Sequence, residues 1–286
     1  MSANSKKVWF ITGASRGLGL EIARGALQRG DSVVAAARKP EAVTAALGAQ
    51  DNLLAVALDV TDEAQAVSAA KAAIERFGRI DVLVNNAGYG LLAAVEEATT
   101  EEVERQYQTN VFGLLKVTRA VLPHLRRAGK GHVINTSAIV GYASFPGWGV
   151  YGSTKFAVEG LTEALAIELA PLGIFATVVE PGFFRTDFLD ETSLLRTKNP
   201  IGDYAATVGA MREFATSVNH QQQGDPRKLS KAVLQLADSA KPPVRLPLGS
   251  DTVAKIAEKN RFVEAELEQW HAVAVSTDHD DVAKQS

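Results

Sequence analysis

The chain reads as an α/β domain with a doubly wound parallel sheet and helices on both faces. Three observations lead there. Short apolar, β-branched-rich runs alternate regularly with amphipathic helical stretches as far as residue 182. The runs are continuously apolar rather than alternating, which suits strands buried on both faces. No repeat or linker divides the 286 residues, a common length for one α/β domain.

The first strand is expected over residues 8–12, Val-Trp-Phe-Ile-Thr, running into a glycine-rich turn, with a helix over 19–28. The small, β-branched run 32–37 is the second strand. Residues 53–59 form the third, followed by a helix over 64–77. The fourth, 82–85, ends in Asn85-Asn-Ala-Gly88, a turn composition. One long helix is expected over 101–127, with Pro123 near its end. Strand 131–136, helix 155–169 and strand 175–180 complete the alternation. Beyond Gly182 the pattern breaks. Residues 183–225 read as irregular, with a loop signal at 198–202 and helical stretches around 204–214, and are expected to form a lid or substrate wall. Residues 226–240 read as helical. An edge strand follows at 244–248, placed there by its flanking prolines. A terminal amphipathic helix is expected over 251–270, within a C-terminal segment 250–275, and a polar, disordered tail over 276–286. The whole, 1–286, is expected to be a single domain.

Composition narrows the function. Apolar residues make up 46% and charged residues 22%, so the chain is neither disordered nor coiled-coil. A net charge of −3 leaves no electrostatic footprint for nucleic acid. With no cysteine, a disulfide scaffold, a thiolate nucleophile, a zinc–cysteine site and an iron–sulfur cluster are all excluded. The start lacks an apolar signal stretch, and the longest apolar runs, such as 53–58, are too short to span a bilayer. A cytoplasmic protein is expected. His124, His132, His220, His271 and His279 show no ligand spacing, the acidic run 278–281 reads as a solvated tail, and no metal is expected.

The turn after the first strand is Thr12-Gly-Ala-Ser-Arg-Gly-Leu-Gly19. Gly13, Gly17 and Gly19 let backbone approach a pyrophosphate. The segment through Ser15, Arg16 and Leu18 opens a helix whose N–H groups and dipole favour an anion. A turn that merely joins strand to helix is the plain alternative. Its place between the first strand and first helix favours a dinucleotide site of Rossmann type. An acid ending the second strand would hold the ribose of NAD, but none occurs from residue 33 to 40. Arg38 and Lys39 stand there instead, with Arg16 as a second cation. A guanidinium takes a 2′-phosphate bidentately, so the expected cofactor is NADP. Asp59 and Val60 are placed at the adenine edge, and Asn86, Ala87 and Gly88 at the end of the fourth strand.

Tyr151 and Lys155, four residues apart, share one helix face. A phenol titrates near pH 10, and a nearby ammonium favours its ionised form, so Tyr151 is a candidate general acid/base. Taken together, Thr12-Gly-x-x-x-Gly-x-Gly19, Asn85-Asn-Ala-Gly88, Asn110, Tyr151-x-x-x-Lys155 and Pro181-Gly182 resemble the short-chain dehydrogenase/reductase family in order and spacing. The resemblance is close over residues 6–182 and loose beyond. It implies a seven-stranded parallel sheet and hydride transfer between a nicotinamide and a carbonyl or alcohol carbon. It also implies that Tyr151 exchanges the proton, Lys155 binds the nicotinamide ribose and lowers the Tyr151 pKa, and Asn110 holds a relay water. Pro181, Gly182, Phe184 and Thr186 would border the carboxamide. Helices 101–127 and 155–169 are those the family packs between subunits, so a homodimer or homotetramer is expected.

One position departs from the family. Its substrate-binding serine lies thirteen before the tyrosine and three before a glycine; here that position is Ala138, and Ser137 is one residue early. Either a bulge brings Ser137 to the substrate or Ala138 fills the slot and that hydrogen bond is missing. For the substrate wall, Tyr89, Leu91, Tyr142, Phe145, Trp148, Phe183, Phe184, Phe188 and Leu189 fall in loops after the fourth to sixth strands. With Arg185 the only cation there, the expected partner is an apolar or aromatic ketone or its alcohol, with steroid- or retinoid-like molecules included. The expected activity is NADP-dependent carbonyl reduction. The alternative is a nicotinamide-binding redox sensor with little turnover.

Overall fold

The computed structural model describes residues 6–279. The chain runs β1 (Val8–Thr12), α1 (Gly17–Gln28), β2 (Ser32–Ala37), α2 (Pro40–Leu47), β3 (Leu53–Ala57), α3 (Glu63–Phe77) and β4 (Val82–Asn85). It continues with β5 (Gly90–Leu92), α4 (Thr100–Tyr107), α5 (Leu114–Ala128), β6 (Gly131–Thr136), α6 (Gly149–Leu169) and β7 (Ile174–Pro181). It ends with β8 (Leu194–Arg196), α7 (Ala210–Ser217), α8 (Pro226–Asp238), β9 (Arg245–Leu248) and α9 (Ser250–Val275).

Seven strands form one sheet in the order β3-β2-β1-β4-β6-β7-β9, every pair parallel. The expected Rossmann-type single domain is the observed fold. Because β1 and β4 are neighbours while their connections leave in opposite directions, a crevice opens at their carboxyl ends. The continuous apolar runs follow from burial on both faces: all five residues of β1 and all four of β4 are buried. Trp9 and Ile11 face α1 and α8, packing with Ile22, Leu229 and Val233. Phe10, Val34 and Leu83 face α3 and α5, packing with Ala70, Val117 and Val121.

Several elements differ from the sequence reading. Helix α2 was not expected; Pro40 at its first turn supplies a preset φ. The expected helix 101–127 is interrupted by a π-helical segment, Gln108–Gly113, between α4 and α5. Helix α6 begins at Gly149, ahead of the expected 155, which brings Tyr151 inside the helix. The segment 183–225 is not purely irregular: β8 pairs in parallel with β5, fastening the segment to the loop after β4. Helix α9 extends to Val275, so the expected tail contributes only 276–279 to the described residues; the remainder of 276–286 lies outside them. Among the described residues no helix is long and apolar enough to cross a membrane.

Candidate active site

The glycine turn joins β1 to α1 at the β1/β4 crevice. Gly13 has φ +65°, and a Cβ there would stand 2.9 Å from Ala87 Cα, so only glycine fits against the end of β4. A Cβ on Gly19 would collide with the Gly13 carbonyl. Thr12 Oγ1 accepts from the backbone N–H of Asn86 (2.9 Å) and Ala87 (3.0 Å). Asn86 Nδ2 donates to the carbonyls of Thr12 and Gly13. Asn86, expected beside the cofactor, therefore uses its side chain to brace the turn. Asp62, Thr99 and Asp225 cap α3, α4 and α8, but no side chain caps α1, and its first turn holds no acid. The N–H groups opening α1 stay available to an anion. These bare glycine edges and uncapped N–H groups fit a dinucleotide pyrophosphate.

Arg38 and Lys39 follow β2 at the same sheet end; both are exposed and make no ion pair among the described residues. Arg16 instead reaches the segment after β7, Nη2 donating to Thr192 O at 2.7 Å. Asp59 lies after β3, with Oδ1 accepting from Thr61 N and Oγ1. Val60 is buried under the π-helical segment, against Gly113. Ser15 lies in the turn after β1 and Gly88 in the loop after β4, while Leu18 packs on the core beneath α1 and Ala87 on the core beneath α3 and α5.

The π-helical segment holds Asn110, whose Nδ2 donates to Tyr89 O (3.0 Å) and Thr154 Oγ1 (3.1 Å) while Oδ1 accepts from Tyr89 N. Such insertions re-aim a side chain out of helical register. A Cβ on Gly88 would lie 3.0 Å from Asn110 Oδ1 and 3.7 Å from Lys155 Nζ, so both groups converge on the end of β4. Lys155 Nζ donates to Thr136 O (2.8 Å) and lies 5.7 Å from the Tyr151 ring centroid. Burial lowers the Lys155 ammonium to about 8, partly offset by Glu159. Burial pushes the Tyr151 phenol above its ordinary value. The lowering expected from Lys155 does not prevail in the protein by itself, because desolvation of the phenolate dominates.

The Ser137/Ala138 alternatives differ by one step of strand register. Strand β6 pairs with β7 without a break through Thr136, and Ser137 N continues the ladder to Val179 O. No bulge intervenes. Ala138 is extended (φ −167°) and packs against the cluster containing Tyr151, Trp148, Phe145 and Phe188. Ser137 is buried on the other side, its Oγ close to the Gly141 backbone, the Lys155 stem and Glu159.

The wall residues divide. Phe188 and Trp148 each stand 5.7 Å from the Tyr151 ring, with Phe145 and Leu189 in the same cluster. An adjoining cleft of about 550 Å³ is lined by Phe145, Val95, Tyr204 and Val208. Five expected residues, Phe183, Phe184, Leu91, Tyr142 and Tyr89, face elsewhere. Phe183 packs edge-on against Phe214 of α7. Leu91 is buried with Ala93 and Val150. Tyr142 donates its hydroxyl to Asn260 of α9. Tyr89 turns its phenol toward Arg105 and Glu102 of α4. The cause is strand and turn alternation, which sends neighbouring side chains to opposite sides. Phe184 leans on the α1-side core and against Gly224, and Thr186 stands opposite Gly17 across the turn.

Other groups were missed. Asp251 Oδ2 accepts from Phe183 N (2.8 Å), fixing the loop after Pro181-Gly182. Behind Lys155, Arg245 of β9 bridges Glu159, Glu180 and Glu163. Burial pushes both Glu159 and Glu180 above the ordinary carboxyl range. Their partners lie in other elements, so spacing carried no signal. His220 comes together with Asp187 and Asp190 on the surface, within 4.8 Å, although thirty residues separate it from Asp190.

The model of the short chain dehydrogenase family matches residues 7–195, and the chain belongs to that family. It is 41% identical over 273 residues to oxidoreductase BOA17 of Botryotinia fuckeliana, covering 95% of this chain and 99% of the relative. It is 35% identical to a 3-ketodihydrosphingosine reductase of Bacteroides thetaiotaomicron, covering 92% and 96%. A short-chain dehydrogenase structure from Streptomyces avermitilis superposes with TM-score 0.88 at 41% identity, covering 96% and 100%. Two further structures contain cofactors. ElxO holds NADP (28% identity, TM-score 0.73, covering 87% and 99%), and a 3-ketoacyl-(acyl-carrier-protein) reductase from Brucella melitensis holds NADH (29%, 0.71, 85% and 96%). The protein is a nicotinamide-dependent oxidoreductase.

Proposed function

We propose that the chain is an NADP(H)-dependent carbonyl reductase that interconverts a bulky apolar or aromatic ketone and its secondary alcohol. The convergence of Tyr151, Lys155 and Asn110, with Tyr151 set in the apolar cluster of Trp148, Phe145 and Phe188, carries this reading. Bound nicotinamide supplies or accepts the hydride. In reduction, Tyr151 donates its phenolic proton to the carbonyl oxygen; its raised pKa keeps that proton in place until charge develops. Lys155, close to the ring, stabilises the phenolate as it forms, and Asn110 holds the end of β4 against α6. Phe145, Trp148 and Phe188 exclude water and favour an apolar substrate. The relative named for a 3-ketolipid supports that class.

NADP is favoured by two free cations after β2 and by the absence of an acid there. Ala138 takes the place of the family's serine, while Ser137 is directed at Glu159, so the substrate oxygen goes without one donor. That missing donor also favours the second reading, a redox sensor. NADPH oxidation against a panel of ketones and aldehydes, with Tyr151→Phe in parallel, tests the proposal. Turnover is expected on an apolar ketone, lost in Tyr151→Phe with NADPH affinity nearly unchanged. No turnover on any member would sink it in favour of the sensor.

A further inference from the structure

A buried carboxylate ties the segment after β7 to the loop after β5. Glu97 lies in that loop, and its side chain is fully buried. Oε2 accepts from Ala94 N (2.7 Å) in its own turn and from the Arg212 guanidinium of α7, and Oε1 accepts from Ile201 N (2.8 Å). Its backbone carbonyl accepts from Thr197 Oγ1 (3.3 Å). Donors from three stretches of chain thus converge on one residue. A charge withdrawn from water is expensive unless several donors meet it, and a well-packed apolar contact would join two segments at less cost. What charged, directional bonds add is position, because they fix distance and angle together.

What Glu97 holds in place is part of the wall around Tyr151. On α7, Arg212 reaches Glu97 while Met211 and Ala215 pack in the cluster of Tyr151, Trp148 and Phe188. The same segment supplies Tyr204 and Val208 to the cleft of about 550 Å³, and the turn of Glu97 supplies Ala94 and Val95. Phe145 lines that cleft and belongs to the Tyr151 cluster, so the two spaces share a side chain. Tyr204 Oη donates to Glu96 Oε2 (2.6 Å), a second tie between the same two stretches. Resting on the carbonyl-reductase reading above, we propose that Glu97 is a positioning residue that sets substrate size. By holding residues 201–212 against the loop after β5, it fixes the room for the apolar body of a ketone beyond Phe145. A ketone that fits within the Tyr151 cluster does not meet this wall, and a longer one does.

Acetophenone and its 4-ethyl to 4-octyl homologues test the role in two ways. One is kcat and KM with NADPH; the other is the ketone Kd of the NADP+-loaded protein by calorimetry, where no hydride is transferred. Glu97→Gln and Arg212→Met should each raise KM and Kd for the long ketones about tenfold, as for loss of a charge-assisted bond, and leave acetophenone within about twofold. The double variant should be no worse than Arg212→Met alone, because both remove one interaction. Arg212→Lys keeps the cation and should recover most of the loss. A role confined to stability would instead lower kcat for every ketone alike, with KM and Kd unmoved. Val95→Trp, at a position 71% exposed, fills the cleft without touching the ion pair and should reproduce the long-ketone effect even if Glu97→Gln fails to fold. Equal effects on short and long ketones, additive losses in the double variant, or no effect of Val95→Trp would overturn the proposal. Size-dependent binding without any turnover would uphold the role of Glu97 and strike only the carbonyl-reductase reading.

Discussion

Ala138→Ser isolates a single donor. Ala138 has extended backbone (φ −167°, ψ 167°), which any residue adopts, so serine adds one hydroxyl without strain. The side chain faces the cluster of Tyr151, Phe145 and Phe188, where the substrate oxygen must lie to meet the phenol. Removing one preorganised oxyanion donor typically lowers kcat ~10²–10³-fold, about 2.7–4 kcal/mol. A hydroxyl added to a half-buried position must also be held in one rotamer, so the gain spans about 10–10³-fold. It should fall on kcat, since charge on the oxygen develops only in the transition state. NADPH affinity should hardly move. The control is Ser137→Ala. That hydroxyl is buried beside Glu159, on the side away from the Tyr151 cluster, and makes no hydrogen bond in the structure, so its loss should cost little stability and little turnover. Steady-state kinetics on one good ketone, with NADPH titration, gives both results. If Ser137→Ala abolishes turnover while Ala138→Ser is neutral, the placement argument fails.

Three further outcomes are expected. Ala37→Asp with Arg38→Ser should reverse an NADPH preference, raising the NADPH dissociation constant about 10–100-fold, as for loss of a charge-assisted bond. Equal NADPH and NADH constants in the unaltered protein would remove the basis for this. Glu159 has a folded pKa raised above its unfolded value. Its contribution to stability is therefore complete below the ordinary carboxyl range and declines as pH rises toward neutrality and beyond. Glu159→Gln should flatten that decline in a series of melting temperatures, and identical slopes would refute it. Arg245→Leu leaves Glu180 and Glu159 buried without their shared guanidinium and should destabilise by about 3–5 kcal/mol in urea unfolding at neutral pH. A loss under 1 kcal/mol would show that water already solvates the pair.

The sheet was legible because its strands are buried on both faces, and that leaves a mark in one dimension. Strands β1, β2, β4 and β6 occupy the expected residues, and β7 and β9 differ only at their ends. Helix α2 and the β5–β8 pair left no such mark. The latter are three-residue strands more than a hundred residues apart, and each is held by the other. The glycine turn was legible for a different reason: bond geometry at Gly13 admits no side chain, so the requirement is local.

The site was legible where a function needs neighbours in sequence and obscure where it needs neighbours in space. Tyr151 and Lys155 lie on one helix, and their spacing alone set them on one face. Asn110 could be named only from the family resemblance. Its orientation comes from a π-helical segment whose cause is tertiary: Val60 presses on Gly113, and Tyr89 and Thr154 claim the carboxamide. The Ser137/Ala138 pair shows the boundary best. Sequence reduced the question to two readings one residue apart, because alternation along a strand is binary. Choosing between them required knowing whether β6 keeps its register, and that depends on hydrogen bonds to Thr177, Val178 and Val179 in a strand forty residues away. With the ladder unbroken, Ser137 turns toward Glu159, and Arg245 reaches the same side to bridge Glu159 and Glu180. The residue that departs from the family and the charge cluster behind Lys155 are thus two faces of one strand end.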